Sequence, residues 1–229
     1  MQKYEFLLFD LDDTLFDFSI SQYNGMHYIM KKYGLEFTED RYQHYLDINH
    51  QYWSMLEHKQ IDANSLRSRR FEDFFSLYGI TVDGKAVDED YRHYLDNSCH
   101  LLPHALDLLK NLYVNYKLYA VTNGIEQTQL SRLDECNIKN FFDDVFISEA
   151  IGYNKPQVEF FNIVEERIPG FNKAQALIIG DSLTSDIQGG TNFGIDTCWF
   201  NPNHIENTED LNPTYEIENY DELLSILNV

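Results

Sequence analysis

The stretch YEFLLFDLDDTLFD, residues 4–17, begins as a buried strand and then turns acidic. Six residues with mostly apolar side chains are followed at once by Asp10, Asp12 and Asp13, and then by Asp17. Carboxylates gathered at the end of a buried strand lose hydration and repel one another, so they need a cation or a structural reason. The stretch therefore predicts either a metal site or a capped turn directly after the first strand.

The composition indicates a globular protein that avoids polyanions. The chain has 229 residues, of which 43% are hydrophobic and 15% aromatic, and this is typical of a packed domain. Its formal charge of −21 predicts that nucleic-acid polymers and anionic membrane surfaces are repelled. A small phosphorylated metabolite is compatible with this charge, because one metal ion and one lysine can reverse the field locally.

The cysteines and the hydropathy pattern predict a cytoplasmic location. Cys99, Cys136 and Cys198 are far apart in the sequence, so we expect thiols that act as small hydrophobic residues in a reducing compartment. No leader peptide and no apolar run of about 20 residues is found, so no membrane segment is expected. The sequence leaves both a monomer and a homodimer open.

The order of predicted elements indicates two domains. The first strand, at about 4–10, is followed by helical periodicity up to residue 98, and four helices in a row do not build a sheet domain. After residue 100, strands alternate with helices, which predicts a doubly wound parallel α/β sheet. We therefore predict an α/β core of residues 1–16 and 99–229, with an all-helical insertion of four helices over residues 17–98. The predicted later strands are Lys117–Thr122, Asp144–Ile147, Ala176–Gly180 and Thr197–Phe200.

Polar residues follow the core strands at their carboxyl ends. Ligands of open parallel sheets bind beyond these ends, so we expect the polar residues to form one site. They are Asp10, Asp12 and Thr14 after the first strand, Thr122 and Asn123 after the second, Lys155 after the third, and Asp181 and Asp186 after the fourth.

These motifs, in this order, resemble those of the haloacid dehalogenase (HAD) superfamily. Phosphatases of that superfamily carry D-x-D-x-T, a Ser or Thr at a strand end, a Lys, and G-D-x-x-x-x-D, and the matching motifs here span residues 9–186. The resemblance implies a Rossmann-like core and a helical cap of the C1 type. The stretch D-L-D-D-T-L-F-D-F and the G-x-x-K-P-x-x-x-x-F run from Gly152 to Phe161 are similar to bacterial pyrimidine 5′-nucleotidases, which implies a nucleoside 5′-monophosphate as substrate.

The two aspartates of the first motif predict a covalent mechanism. In an extended backbone Asp10 and Asp12 point to the same side, because side chains alternate with period two. We predict that Asp10 attacks phosphorus to form an aspartyl-phosphate, and that Asp12 acts as general acid and then as general base. This predicts hydrolysis of a phosphate monoester.

The acidic cluster predicts a Mg²⁺ site, because Mg²⁺ prefers hard oxygen ligands. The resemblance implies that Asp10, Asp181 and the main-chain carbonyl of Asp12 bind the ion directly. It also implies that Asp186 holds a metal-bound water or positions Lys155. The predicted phosphate ligands are Thr122, Asn123 and Lys155. They would hold the phosphoryl oxygens as negative charge redistributes in the reaction.

Other functions remain open at this point. A 2-haloacid dehalogenase would attack carbon with Asp10 and would need neither Mg²⁺ nor Asp12, so the presence of Asp12 argues against it. A sugar phosphatase or phosphomutase would keep every residue named above. A phospho-accepting signalling module also uses acids, Thr and Lys around Mg²⁺, but it is shorter and lacks a cap. Asp13 and Asp17 are more simply explained as turn or cap residues.

Overall fold

The computed structural model describes residues 3–57 and 59–229, and the chain divides into two compact units. One unit, here called the α/β unit, consists of Met1–Phe18 and Cys99–Val229. The other, here called the helical unit, consists of Ser19–Ser98. The insertion predicted from the sequence began two residues earlier, at residue 17, and its role as a cap stays a prediction.

Six parallel strands form one sheet within the described part of the α/β unit. Their spatial order is β3-β2-β1-β4-β5-β6, which confirms the predicted doubly wound α/β sheet. The first strand lies between β2 and β4, so the strand order reverses beside its carboxyl end, where ligands of such sheets bind. The strands are β1 (Phe6–Phe9), β2 (Lys117–Thr122), β3 (Asp144–Ile147), β4 (Ala176–Gly180), β5 (Asp196–Phe200) and β6 (Tyr215–Ile217).

The central strand β1 is buried on both faces because each face packs against helices. Side chains alternate along a strand, and accordingly Phe6 and Leu8 belong to one hydrophobic cluster while Leu7 and Phe9 belong to another. The helices of this unit are α5 (Ala105–Leu112), α6 (Glu126–Glu135), α7 (Ser148–Ile151), α8 (Val158–Arg167), α9 (Gln188–Phe193) and α10 (Tyr220–Leu227). The first cluster includes residues of α8 and α9, and the second includes residues of α5, α6 and α10.

The helical unit packs an aromatic core around a buried ion pair. Tyr45 stacks on Phe71 with ring centroids 5.8 Å apart, and both rings are fully buried. The guanidinium of Arg70 lies 2.8 Å from Asp88 Oδ1, and Arg92 Nε lies 2.7 Å from Asp88 Oδ2. The helices of this unit are α1 (Phe18–Lys32), α2 (Glu39–Glu57), α3 (Ala63–Ser76) and α4 (Gly84–Asp96).

Two predictions about the cysteines and the membrane are tested by the structure. The expectation of three free thiols is wrong for Cys99 and Cys136, which form a disulfide with a Cα–Cα distance of 5.3 Å. The fold brings together two residues that are 37 positions apart in the sequence, and periodicity does not reveal that contact. Cys198 is a free, buried thiol, as predicted.

Among the described residues, no helix is long and apolar enough to cross a membrane.

Candidate active site

Three acidic side chains converge at the carboxyl ends of β1 and β4. Asp10 directly follows β1, and its N–H donates to the carbonyl of Ile179 at 2.9 Å, which continues the ladder between the two strands. Asp181 and Asp186 follow β4. One carboxylate oxygen from each of the three aspartates lies within 4.8 Å of the others. The sequence-predicted meeting of distant acids at this edge of the sheet is therefore observed.

Lys155 lies between two of these acids and is itself buried. Its Nζ donates to Asp10 Oδ1 at 2.7 Å, to Asp186 Oδ1 at 2.6 Å, and to the carbonyl of Val121 at 2.8 Å. The side chain is only 1% exposed. Because an ammonium group has three N–H donors, these contacts use all of them. In this geometry Lys155 holds Asp10 and Asp186, and an incoming phosphoryl oxygen would have to share one of these donors.

The Asn123 side chain contacts the main chain of Lys155. Its Nδ2 donates to the Lys155 carbonyl at 2.9 Å, and its Oδ1 accepts from the Lys155 N–H at 2.8 Å. The side chain therefore fixes the loop that carries Lys155. The role predicted from the sequence for Asn123, a phosphate ligand, is not visible in these contacts and stays a prediction.

Asp186 is placed by a single π turn, Leu183–Ile187. Its Oδ2 accepts a hydrogen bond from the N–H of Ser182 at 3.2 Å, and its side chain is 1% exposed. A Cβ at position 180 would collide with the carboxylate of Asp186, which explains why glycine stands there. Asp186 thus uses both oxygens within the protein, which agrees with a role in holding Lys155.

Asp13 is a turn residue. Its backbone φ of 56° lies in the left-handed region, which Asp tolerates better than most residues. Its Oδ1 accepts a hydrogen bond from the N–H of Phe18 at 3.1 Å, and its own N–H donates to the carbonyl of Phe16 at 2.8 Å. The structural explanation offered from the sequence for Asp13 is confirmed.

Asp12 contacts two side chains of α6 that sequence reasoning missed. Its Oδ1 accepts a hydrogen bond from Arg132 Nη1, and its Oδ2 accepts one from Gln129 Nε2 at 2.7 Å. Gln129 Nε2 also donates to Thr122 Oγ1 at 2.9 Å. The sequence did contain a signal for this contact. Positions three and four apart share a helix face, so Gln129 lies on the same face as Arg132 and the apolar Leu133. Two polar residues on a core-facing stripe indicate a buried polar contact.

Burial, with the negative charge of neighbouring acids, raises the pKa values of Asp10 and Asp181. Burial raises the pKa of Asp10 to about 7, although the nearby ammonium of Lys155 opposes that change. Burial, followed by the negative charges of Asp10 and Asp186, raises the pKa of Asp181 well above its ordinary value. Burial lowers the pKa of Lys155, but the carboxylates of Asp10 and Asp186 outweigh it and raise the pKa above its usual range. The site therefore favours a bound positive charge beside Asp10 and Asp181.

The donor set fits a hard divalent cation. Four carboxylates surround the edge of β1, and the cations of Lys155 and Arg132 pair with three of them. If all six groups are ionised, two negative charges remain, which one divalent ion would neutralise. Carboxylate oxygens are the ligands that such ions prefer. The oxygens of the triad Asp10, Asp181 and Asp186 lie close enough together for a metal ion to bind among them.

The fold and this site define a class of protein. A doubly wound α/β unit with acids, Thr and Lys at its strand ends is the arrangement of the HAD hydrolases, and residues 7–200 match the family model described as haloacid dehalogenase-like hydrolase. The chain belongs to this family and is a hydrolase.

Individual relatives share the whole chain. YfnB from Bacillus subtilis, seen in a crystal structure bound to magnesium, is 39% identical, with a TM-score of 0.95 and 100% of both chains covered. Pyrimidine 5′-nucleotidase PynA from Streptococcus pneumoniae is 41% identical over 98% of this chain and 95% of its own. Pyrimidine 5′-nucleotidase YjjG from Escherichia coli is 31% identical, with 98% of each chain covered.

Proposed function

We propose that the protein is a Mg²⁺-dependent phosphomonoesterase that forms an aspartyl-phosphate on Asp10 and acts on pyrimidine nucleoside 5′-monophosphates. The observation that carries the phosphatase assignment is the buried contact of Lys155 with Asp10 and Asp186, with Asp181 close by. The substrate class is supported by the two nucleotidases to which the chain is 41% and 31% identical.

In the first step an oxygen of Asp10 forms a bond to phosphorus, and the bond between phosphorus and the ester oxygen breaks. Lys155 orients Asp10 for this attack through the 2.7 Å hydrogen bond to Oδ1. Asp12 supplies the proton that the departing alkoxide takes up, so the nucleoside leaves as a neutral alcohol. The hydroxyl of Thr122 donates to a phosphoryl oxygen as negative charge redistributes.

In the second step water attacks the phosphorus of the aspartyl-phosphate. Asp12, now ionised, accepts a proton from that water, and the bond between phosphorus and the Asp10 oxygen breaks. Inorganic phosphate leaves and Asp10 is again a carboxylate. Splitting hydrolysis into two displacements is the usual benefit of a covalent intermediate.

The proposed metal site consists of Asp10, Asp181 and the main-chain carbonyl of Asp12, and Asp186 supports it through Lys155. When bound there, Mg²⁺ supplies positive charge that lets the phosphate dianion approach the carboxylates. The raised pKa values of Asp10 and Asp181 support this proposal, because burial destabilises the ionised form of both carboxylates and a bound cation would stabilise it.

A substrate panel tests the proposal. The full-length protein with Mg²⁺ is incubated with nucleoside and sugar monophosphates, and phosphate release is measured, with the Asp10→Asn variant prepared in parallel to exclude a contaminating phosphatase. We expect the highest kcat/KM for UMP and dUMP. Equal rates for all nucleotides and sugars would contradict the nucleotidase assignment alone. Release of halide from a 2-haloacid, with no phosphate release from any ester, would contradict the phosphatase assignment as well.

The same panel separates hydrolysis from phosphoryl transfer to a sugar. A phosphomutase would retain the phosphoryl group on product, whereas the proposed hydrolase releases one inorganic phosphate for each nucleoside formed. We expect equal amounts of nucleoside and phosphate. A sugar bisphosphate or an isomeric sugar phosphate among the products would show a mutase.

A further inference from the structure

We infer that Gln129 and Arg132 are positioning residues that hold Asp12 and Thr122 in place for the reaction. This inference depends on the proposed function, because it assigns the two residues to the proton donor and the phosphate ligand of that mechanism. All four side chains belong to the α/β unit. Arg132 and Gln129 lie on α6, which begins at Glu126, shortly after β2 ends at Thr122.

The four side chains form one continuous hydrogen-bond network. Arg132 Nη1 donates both to Asp12 Oδ1 and, at 3.1 Å, to Gln129 Oε1. Gln129 Nε2 then donates to Asp12 Oδ2 at 2.7 Å and to Thr122 Oγ1 at 2.9 Å. A carboxylate has about four lone-pair sites, so the two bonds to Asp12 fix its orientation and leave sites for a leaving oxygen or a water.

The burial of Arg132 is costly and indicates a functional reason for its position. Its side chain is 1% exposed, and among the described residues its Nε and Nη2 atoms have no hydrogen-bond partner. Buried polar groups without partners are rare in folded proteins and call for an explanation. The guanidinium lies 4.1 Å from the ring centroid of Phe16 and pairs with Asp12, which is still 29% exposed. The buried guanidinium of Arg132 thus forms its ion pair with a carboxylate that is still partly exposed.

Gln129 also sets the direction of the Thr122 hydroxyl. Thr122 Oγ1 accepts from Gln129 Nε2 and, at 3.1 Å, from the N–H of Gly124. An oxygen that accepts two hydrogen bonds has its own O–H left to donate elsewhere, and the proposed acceptor is a phosphoryl oxygen. Gly124 provides the space for this contact, because a Cβ there would come within 2.6 Å of Gln129 Cγ.

The test compares two esters that differ in their need for a proton donor. An alkyl phosphate such as UMP requires protonation of its leaving oxygen, whereas p-nitrophenyl phosphate leaves as a stable phenolate. General acid catalysis contributes roughly 10²–10⁴-fold, and Lys keeps the charge of Arg but not its fork of donors. We therefore expect Arg132→Lys to lower kcat/KM on UMP, which reports the first step alone, by about 10- to 100-fold. On p-nitrophenyl phosphate Arg132→Lys should lower kcat/KM by less than about 3-fold, because the phenolate leaves without a proton. Gln129→Ala should lower kcat/KM on both esters, because it also releases the Thr122 hydroxyl, but more on UMP than on p-nitrophenyl phosphate.

Matched controls and a double variant make the test specific. Arg167→Lys on α8 and Gln127→Ala on α6 change exposed residues of the same types and should keep wild-type rates on both esters. In an Asp12→Asn background, Arg132→Lys should cause no further loss on UMP, because its effect acts through Asp12. Melting temperatures show which variants are folded, and Gly124→Ala offers a route to displace Gln129 without changing it.

Two outcomes would overturn the inference while leaving the proposed function intact. One is an equal loss of kcat/KM on both esters by folded Arg132→Lys, which would indicate a general structural effect. The other is a loss for Arg132→Lys that multiplies with that of Asp12→Asn. A wild-type protein that hydrolyses neither ester would instead contradict the proposed function, and the inference with it.

Discussion

Lys155 Nζ lies 2.7 Å from Asp10 Oδ1 and 2.6 Å from Asp186 Oδ1, so one buried ammonium group joins the first acidic motif to the last. The three residues come from distant parts of the sequence and meet at the edge of β1 and β4. Removing one member of a buried ion pair leaves an uncompensated charge, which is more damaging than replacing both.

Lys155→Met should therefore destabilise the protein, by about 3–5 kcal/mol, and abolish phosphate release. Adding Asp186→Asn to that variant should restore part of the stability but none of the activity. The measurement is urea-induced unfolding without metal. Lys139→Met is the control, because Lys139 forms an exposed ion pair with Asp134 at 3.0 Å, and such pairs contribute about 0–1 kcal/mol. Equal stability of Lys155→Met and wild type would contradict the structure.

The stability of the metal-free protein should depend on pH through the titration of Asp10. Its pKa is about 7 in the folded protein, raised mainly by burial, and about 3.9 in an unfolded chain. Between these values the folded state binds a proton that the unfolded state lacks, so protonation of Asp10 stabilises the folded protein. This stabilisation is complete below about pH 4 and disappears as the pH rises through 7.

The free energy of unfolding of wild type, minus that of Asp10→Asn, should accordingly decrease from pH 4 to pH 7 in EDTA. Subtracting the variant removes the opposite contribution of acids whose pKa values are lowered, such as Asp90 and Asp196. A difference that rises over this range would show that the Asp10 carboxylate is stabilised in its ionised form without metal.

Magnesium should stabilise the folded protein through Asp181. A ligand at concentration c that binds only the folded state stabilises it by RT ln(1 + c/Kd) and therefore raises the melting temperature once its concentration exceeds Kd. We expect millimolar Mg²⁺ to raise the melting temperature of wild type at pH 7.5 and to have little effect on Asp181→Asn. Asp143→Asn, an acid outside the triad, serves as the control. If Mg²⁺ raised the melting temperature of Asp181→Asn as much as that of wild type, the metal would bind at another site.

The disulfide between Cys99 and Cys136 should contribute measurably to stability. A crosslink closing a loop of this size, with 37 residues of separation, contributes about 2–4 kcal/mol. Reductant should lower the melting temperature of wild type and leave Cys99→Ser unchanged. Alkylation of the unreduced, denatured protein should modify Cys198 alone, and modification of all three cysteines would show that the bond is absent.

The strand-end motifs could be predicted because each is short and follows an apolar strand. Asp10 and Asp181 directly follow β1 and β4, and Thr122 is the last residue of β2. Lys155 comes after β3 and the short helix α7. Parallel strands bring their carboxyl ends together. The sheet and the acidic cluster followed from that rule. The edge strand β6 was missed because Tyr215–Ile217 is only three residues long.

Contacts between distant residues could not be predicted in the same way. Gln129 and Arg132 are separated from Asp12 by 117 and 120 residues, and nothing in the local pattern of α6 shows which strand end it packs against. The disulfide could not be predicted for the same reason. A polar pair beside Leu133 signals burial, but its partner depends on the tertiary structure.

The most direct test of the account is to trap the phosphorylated enzyme. Wild type is mixed with UMP and Mg²⁺, quenched in acid within the first turnover, and digested for peptide mass spectrometry. We expect one phosphoryl group on Asp10, and neither that group nor turnover in a folded Asp10→Asn variant. A phosphoryl group on another residue, or undiminished phosphate release by Asp10→Asn, would contradict the assignment of Asp10 as nucleophile.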